Sequence, residues 1–191
     1  MAVTYINRKS QTYYLHQGKT SKGNPKYHFA QHMEGDLVDT IPSGYEIYEN
    51  PNGRVFLRRI PAQIITAEEV SAIRAGVRKY GRLARCIVDV KKDTILIYTP
   101  DQDIDLLLEA FGPLAGLTPA GAEKKLESIL TYSPMLQFVL VDKANRLFQT
   151  HRFSFFSNID DWMPIGTPGA LPALVQEYVP HLEQDSYFEL D

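Results

Sequence analysis

Lys19-Thr20-Ser21-Lys22 sets two cations and two hydroxyls in a row, and Lys26 follows close behind. These are donor types that phosphate oxygens accept. Tyr14, His16 and His28 flank them, and Tyr14 and His28 supply rings on which bases can stack. Arg74, Arg78 and Arg82 add guanidinium groups further along. The chemistry this set suits is electrostatic capture of a polyanion, nucleic acid foremost, rather than bond-breaking. No helix-turn-helix, zinc-finger or RNA-sheet signature accompanies it.

Other patterns fail on their own terms. Gly18-Lys19-Thr20 mimics the end of a phosphate loop, but Tyr13 stands where the first glycine belongs. Asp101-Gln102-Asp103-Ile104-Asp105 opens like a calcium loop, yet Leu106 replaces the turn glycine and Gly112 the bidentate glutamate. Helix capping explains these aspartates. His16, His28 and His32 lack a cysteine or carboxylate to complete a zinc set, so no metal site is expected. His151 reads as a satisfied core histidine, and Asp160 and Asp161 precede Trp162 with no partner evident in the sequence. Cys86, the one cysteine, excludes an intrachain disulfide and reads as an inert buried thiol. No cofactor is expected.

The elements that must position these residues are mostly hairpins. Thr12–Gln17 and Lys26–Gln31 pair across a long polar loop. Alternation puts Tyr13, Leu15, Tyr27 and Phe29 on one face and Tyr14, His16, Lys26 and His28 on the other. Tyr45–Glu49 and Arg54–Arg59 flank Asn50-Pro51-Asn52-Gly53, a type I turn signal. Thr66-Ala67-Glu68-Glu69 is a capping box that opens a helix reaching about Tyr80, with Val70, Ile73, Val77 and Tyr80 as its stripe. Leu83–Val90 and Thr94–Thr99 form a third hairpin. A short helix from Asp101 or Asp103 to Phe111 and another from Thr118-Pro119 come next. Met135–Val141 and Leu147–Phe155 make a fourth hairpin, with 138–141 expected to be buried on both faces. Ser157–Gly169 reads as loop and Gly169–His181 as the last helix. The class is α+β: mainly antiparallel hairpins with four helices, in the order ββββαββααββα. A boundary near residues 60–66 would separate a basic hairpin region, 1–62, from an α+β region, 63–191. One continuous domain is the alternative division.

Charge is uneven along the 191 residues. Residues 1–92 carry fifteen Lys and Arg against eight Asp and Glu, whereas residues 93–191 carry five against fifteen. The net charge of −3 hides this asymmetry. Such a split suggests an anionic partner for the first half, or pairing of the two halves within or between chains. With 44% apolar and 23% charged residues, global disorder is excluded. No apolar run is long enough to span a membrane, and the N-terminus has no secretory signal pattern, so a cytoplasmic location is expected.

Asp89-Val90-Lys91 resembles the Asp-x-Lys element of restriction-endonuclease-like nucleases. The resemblance implies a Mg²⁺ held by Asp89 and a helical carboxylate, Glu68 or Glu69, with Lys91 stabilising developing charge. The strand that carries the other metal-binding acid in that family has no counterpart before Asp89. Three segments, Tyr14-Leu15-His16-Gln17-Gly18-Lys19-Thr20, Pro25-Lys26-Tyr27 and residues 41–52, look like those of a group of bacterial proteins of unassigned activity. So does the ending His181-Leu182 to Ser186-Tyr187-Phe188-Glu189-Leu190. That resemblance implies a bacterial cytoplasmic protein and carries no site residue. The reading favours a non-catalytic module whose basic first half engages nucleic acid or an acidic protein. Self-association through opposed charge and the Asp89/Lys91 nuclease are the alternatives.

Overall fold

The computed structural model describes residues 1–103, 106, 107, 109, 119–156 and 159–191. The protein is mixed α+β with antiparallel sheets. It divides into two compact units, one of residues 1–61 with 102–131, the other of residues 62–101 with 132–191.

The first unit holds two small sheets. Strands β1 (Thr4–Ile6), β2 (Thr12–Lys19) and β3 (Pro25–Ala30) form one, in that order, and β4 (Tyr45–Glu49) pairs with β5 (Val55–Arg59) in the other. The β4–β5 turn follows its sequence signal: the Gly53 amide donates to the Asn50 carbonyl at 2.9 Å, and Gly53 takes φ +79°. A non-glycine residue would be strained there. Asn50 closes the loop with its side chain, which accepts from the amides of Asn52 and Arg54.

The β1–β2 and β4–β5 turns are clipped together. Asn7 is only 4% exposed. Its side-chain amide donates to the Gly53 carbonyl at 2.7 Å, and its Oδ1 accepts from the Gln11 amide at 2.8 Å. Arg8 pairs with Glu49 at 2.7 Å, and the Tyr5 hydroxyl donates to the same carboxylate at 2.9 Å. Among the described residues of this unit the buried apolar side chains include Leu15, Val55, Leu126 and Leu130, and these polar ties add to them. Asn7→Ala would strand the buried Gly53 carbonyl and remove the partner of the part-buried Gln11 amide. The expected cost is about 2 kcal/mol, measurable by chemical denaturation of the first unit's tyrosine signal.

The second unit is a five-stranded sheet in the order β10-β9-β8-β7-β6. Its strands are β6 (Ile87–Lys91), β7 (Thr94–Pro100), β8 (Tyr132–Asp142), β9 (Leu147–Phe156) and β10 (Ile159–Ala170). Helices α1 (Ala67–Arg78) and α3 (Leu171–Tyr178) bury their stripes, including Ile73, Val77, Leu174 and Val175, in one core with Ile95, Ile97, Leu136, Phe138 and Phe148. Full burial of each such side chain contributes about 1.5–3 kcal/mol. The capping box forms as read: Thr66 accepts from the Glu69 amide, and the Glu69 carboxylate accepts from the Thr66 amide. Helix α2 (Pro119–Ile129) belongs to the first unit.

The strand and helix string differs from expectation. Among the described residues there are three α-helices rather than four, and ten strands. The expected 101–111 helix lies largely outside the described residues, although Asp103 Oδ1 accepts from the Leu106 amide as a cap would. Strands β1 and β10 are additional. β10 reads as loop because Pro164, Gly166, Pro168 and Gly169 interrupt it. It sits at a sheet edge, where a missing amide donor costs nothing. A bulge between Ile165 and Gly169 absorbs the glycines. The last helix ends at Tyr178 and continues as a 3-10 turn over Val179–His181, because Pro180 cannot donate to a helical carbonyl. The run 138–141 is not buried on both faces: Phe138 and Leu140 are buried, but Val141 is 53% exposed.

Candidate functional site

Cross-strand pairing places the hairpin residues. Leu15 faces Phe29, His16 faces His28, and Gly18 faces Lys26. Residues directly opposite share a face. Tyr13, Leu15, Tyr27 and Phe29 therefore lie on one side, and Tyr14, His16, Lys26 and His28 on the other, as alternation requires. The β4–β5 hairpin meets the first side, where the Tyr27 and Tyr45 rings lie 6.2 Å apart. The tip between β2 and β3 is a compact loop: the Thr20 amide donates to the Asn24 carbonyl at 2.8 Å, and Thr20 Oγ1 accepts from the Asn24 amide at 3.1 Å. Lys19, Thr20, Ser21, Lys22 and Lys26 are all exposed. Among the described residues, none of these lysines takes part in an ion pair.

Three residues from the sequence reading change role. His16 is 3% exposed, so it cannot stack on a ligand base. It is buried because the segment around Leu37 docks beside β2: Leu37 bridges His16, and the Gln17 amide donates to the Asp36 carbonyl at 2.9 Å. That docking also brings Glu34, Asp36 and Asp39 beside a stretch that reads as free of acid in its first 32 residues. The Thr20 hydroxyl is partly spent inside the loop. Arg82 is spent too, since its guanidinium donates to the carbonyls of Pro180 and Leu182 and lies over the Tyr80 ring. Tyr14 is half-buried, and His28 is exposed on the same face.

Arg74 and Arg78 are exposed on α1, one turn apart, and line a shallow groove together with Ser71 and Ala75. They belong to the second unit and Lys19, Lys22 and Lys26 to the first, so the set read from the sequence falls into two groups.

Three histidine rings gather on the hairpin. His16 stacks on His28 with centroids 5.3 Å apart and lies 4.7 Å from His32. His16 Nε2 is 3.0 Å from the His32 carbonyl, and His32 Nδ1 is 3.1 Å from the Glu34 carbonyl, so each ring nitrogen must donate. Burial, then the charges of His16, Lys26 and His32, hold the His28 pKa below the ordinary imidazole value. Among the described residues no group of three ligating side chains has metal-binding geometry.

The carboxylate–lysine alternative does not assemble. Asp89 faces Leu96 across the β6–β7 ladder, on the side opposite Val88 and Val90, which pack into the core beneath α1. Glu69 sits on α1 and is held by Arg146, whose Nε donates to it at 2.9 Å, and by its own capping box. The two carboxylates thus lie on opposite sides of the sheet. Lys91 Nζ lies 3.0 Å from the Tyr98 hydroxyl and 3.8 Å from Asp89. His151 is half-buried rather than in the core; its Nδ1 has no hydrogen-bond partner among the described residues, and its ring interacts with the Gln149 backbone. Burial pushes the Cys86 thiol up to about 12, which makes it inert. Among the described residues no helix is long and apolar enough to cross a membrane.

No family model, curated protein or solved structure matches the chain.

Proposed function

We propose that this protein is a binding module whose β2–β3 hairpin engages a polyanion, nucleic acid first among the candidates. The observation that carries the reading is the set of exposed cations, Lys19, Lys22 and Lys26, on a hairpin tip and its adjoining face, with no ion-pair partner among the described residues. In the neighbouring hairpin region Arg8 is paired with Glu49 and Arg58 with Glu46, while Arg54 and Arg59 are exposed cations of the same unit. Solvated, unpaired lysines are what counterion release requires. His28 stands exposed beside Lys26 and can stack on a base, with half-buried Tyr14 behind it. Arg74 and Arg78 form a second, separate cationic pair on α1. The role is recognition of backbone charge with little sequence reading, because lysine meets phosphate as a point charge.

A gel shift with single- and double-stranded probes tests this. Three neutralised phosphates on a single strand predict that affinity falls roughly 10–20-fold between about 50 and 200 mM salt. No shift with either probe at the lower salt would overturn the reading.

A further inference from the structure

The three-histidine cluster lies on the hairpin face that carries Lys26, and base stacking by His28 accounts for only one of its members. His16 is its buried centre, with His28 and His32 on either side and both exposed. The opposite face cannot reach it, since the β4–β5 hairpin with its Arg58, Arg59 and Glu46 packs there through Tyr27 and Tyr45. Among the described residues, the titratable groups bordering the cluster include Tyr14 on β2, Lys26 on β3, and Glu34 and Asp36, whose backbone carbonyls meet His32 and Gln17.

We infer that His16, His28 and His32 make the hairpin's grip on a polyanion proton-dependent, so that affinity rises as pH falls. The inference rests on the polyanion reading and names its regulation. In the free protein His28 resists charge: its ring stands 5.3 Å from that of the buried His16, and Lys26 lies close enough to oppose an imidazolium there. A phosphate backbone held at the hairpin tip and at Lys26 reverses that balance, because an imidazolium on the Lys26 face then gains an anionic neighbour.

The sign follows from linkage. Bound polyanion raises the imidazole pKa values, so binding takes up protons, and by reciprocity protons tighten binding. Each unit of such a rise in one imidazole tightens binding by up to about tenfold. The gain appears as pH drops through the bound-state pKa and levels off below the free-state value, which for His28 already lies under the ordinary one. His28 and His32 are the exposed members and the ones that meet the ligand. His16 sets their spacing through its bond to the His32 carbonyl.

The test is fluorescence anisotropy of a rhodamine-labelled oligothymidylate, whose bases and label do not titrate between pH 5.5 and 7.5, at one fixed ionic strength. The full chain is expected to bind at least about fivefold more tightly at pH 5.5 than at pH 7.5, as a rise of somewhat under one pKa unit requires. In His28→Gln/His32→Gln that ratio falls toward one. Both positions are exposed, so the double variant is expected to fold, which its circular dichroism checks. Salt-sensitive binding with equal affinity at the two pH values would overturn this inference and leave the polyanion reading standing. So would a pH ratio preserved in the double variant. Absence of binding at both pH values would overturn both.

Discussion

Tyr187→Phe is expected to destabilise the second unit by about 3 kcal/mol, the summed cost of leaving a carbonyl and the Phe153 amide, both part-buried, without their partner. Tyr187 is 2% exposed. Its hydroxyl lies 2.5 Å from the Met135 carbonyl and 2.9 Å from the Phe153 carbonyl, and accepts from the Phe153 amide at 3.0 Å. The reason is visible in the ladder. Strands β8 and β9 pair from Asp142 and Leu147 down to Leu136 and Arg152, and there the register ends. Met135 and Phe153 come next, and the tyrosine hydroxyl stands between them as a substitute rung. Phenylalanine keeps the ring and its burial, so the loss isolates the hydrogen bonds. A fall in Tm of roughly 6–12 °C follows for a chain of this size. An unchanged Tm would mean that the hydroxyl is dispensable.

Gly76→Ala is expected to destabilise by about 1–2 kcal/mol net, although the substitution normally favours a helix. Alanine in a helix interior gains about 1 kcal/mol over glycine. At position 76 the added Cβ would stand 2.2 Å from a methyl of Val175 on α3, far inside contact distance. Val175 is buried and packed in the core, so either the helices part or Val175 leaves its rotamer. Overpacking of this kind costs about 1–3 kcal/mol or more, which exceeds the propensity gain. The pair supplies its own control. Val175→Ala alone leaves a cavity, yet in Gly76→Ala/Val175→Ala the new methyl occupies the vacated space. The double variant should be less destabilised than the sum of the singles by at least about 1 kcal/mol. Additive losses would show that the close approach of the helices is not what Gly76 permits.

Both positions bear on what could be read in advance. Local patterns were legible: Thr66 and Glu69 announce the start of α1, Asn50 and Gly53 announce their turn, and alternation sorts the two faces of the β2–β3 hairpin correctly. Features set by distant chain were not. The burial of His16 comes from docking of the segment around Leu37, which reads as loop or a short strand at Leu37-Val38 with no partner named by the sequence. The engagement of Glu69 comes from Arg146, and that of Arg82 from the carbonyls of Pro180 and Leu182 about a hundred residues away. Strand β10 was hidden by prolines and glycines that an edge strand tolerates. The histidine cluster lay between these cases. The shared face of His16 and His28 follows from period-two spacing, but the approach of His32 depends on how the chain leaves β3.

The salt dependence of oligothymidylate binding, compared between the full chain and Lys19→Gln/Lys22→Gln/Lys26→Gln, tests the central claim most directly. The slope of log affinity against log salt should be about −2 for the native chain, from three lysines at roughly 0.7 each on a single strand, and near zero for the triple variant. Equal slopes in the two proteins would show that the hairpin lysines do not hold the polyanion.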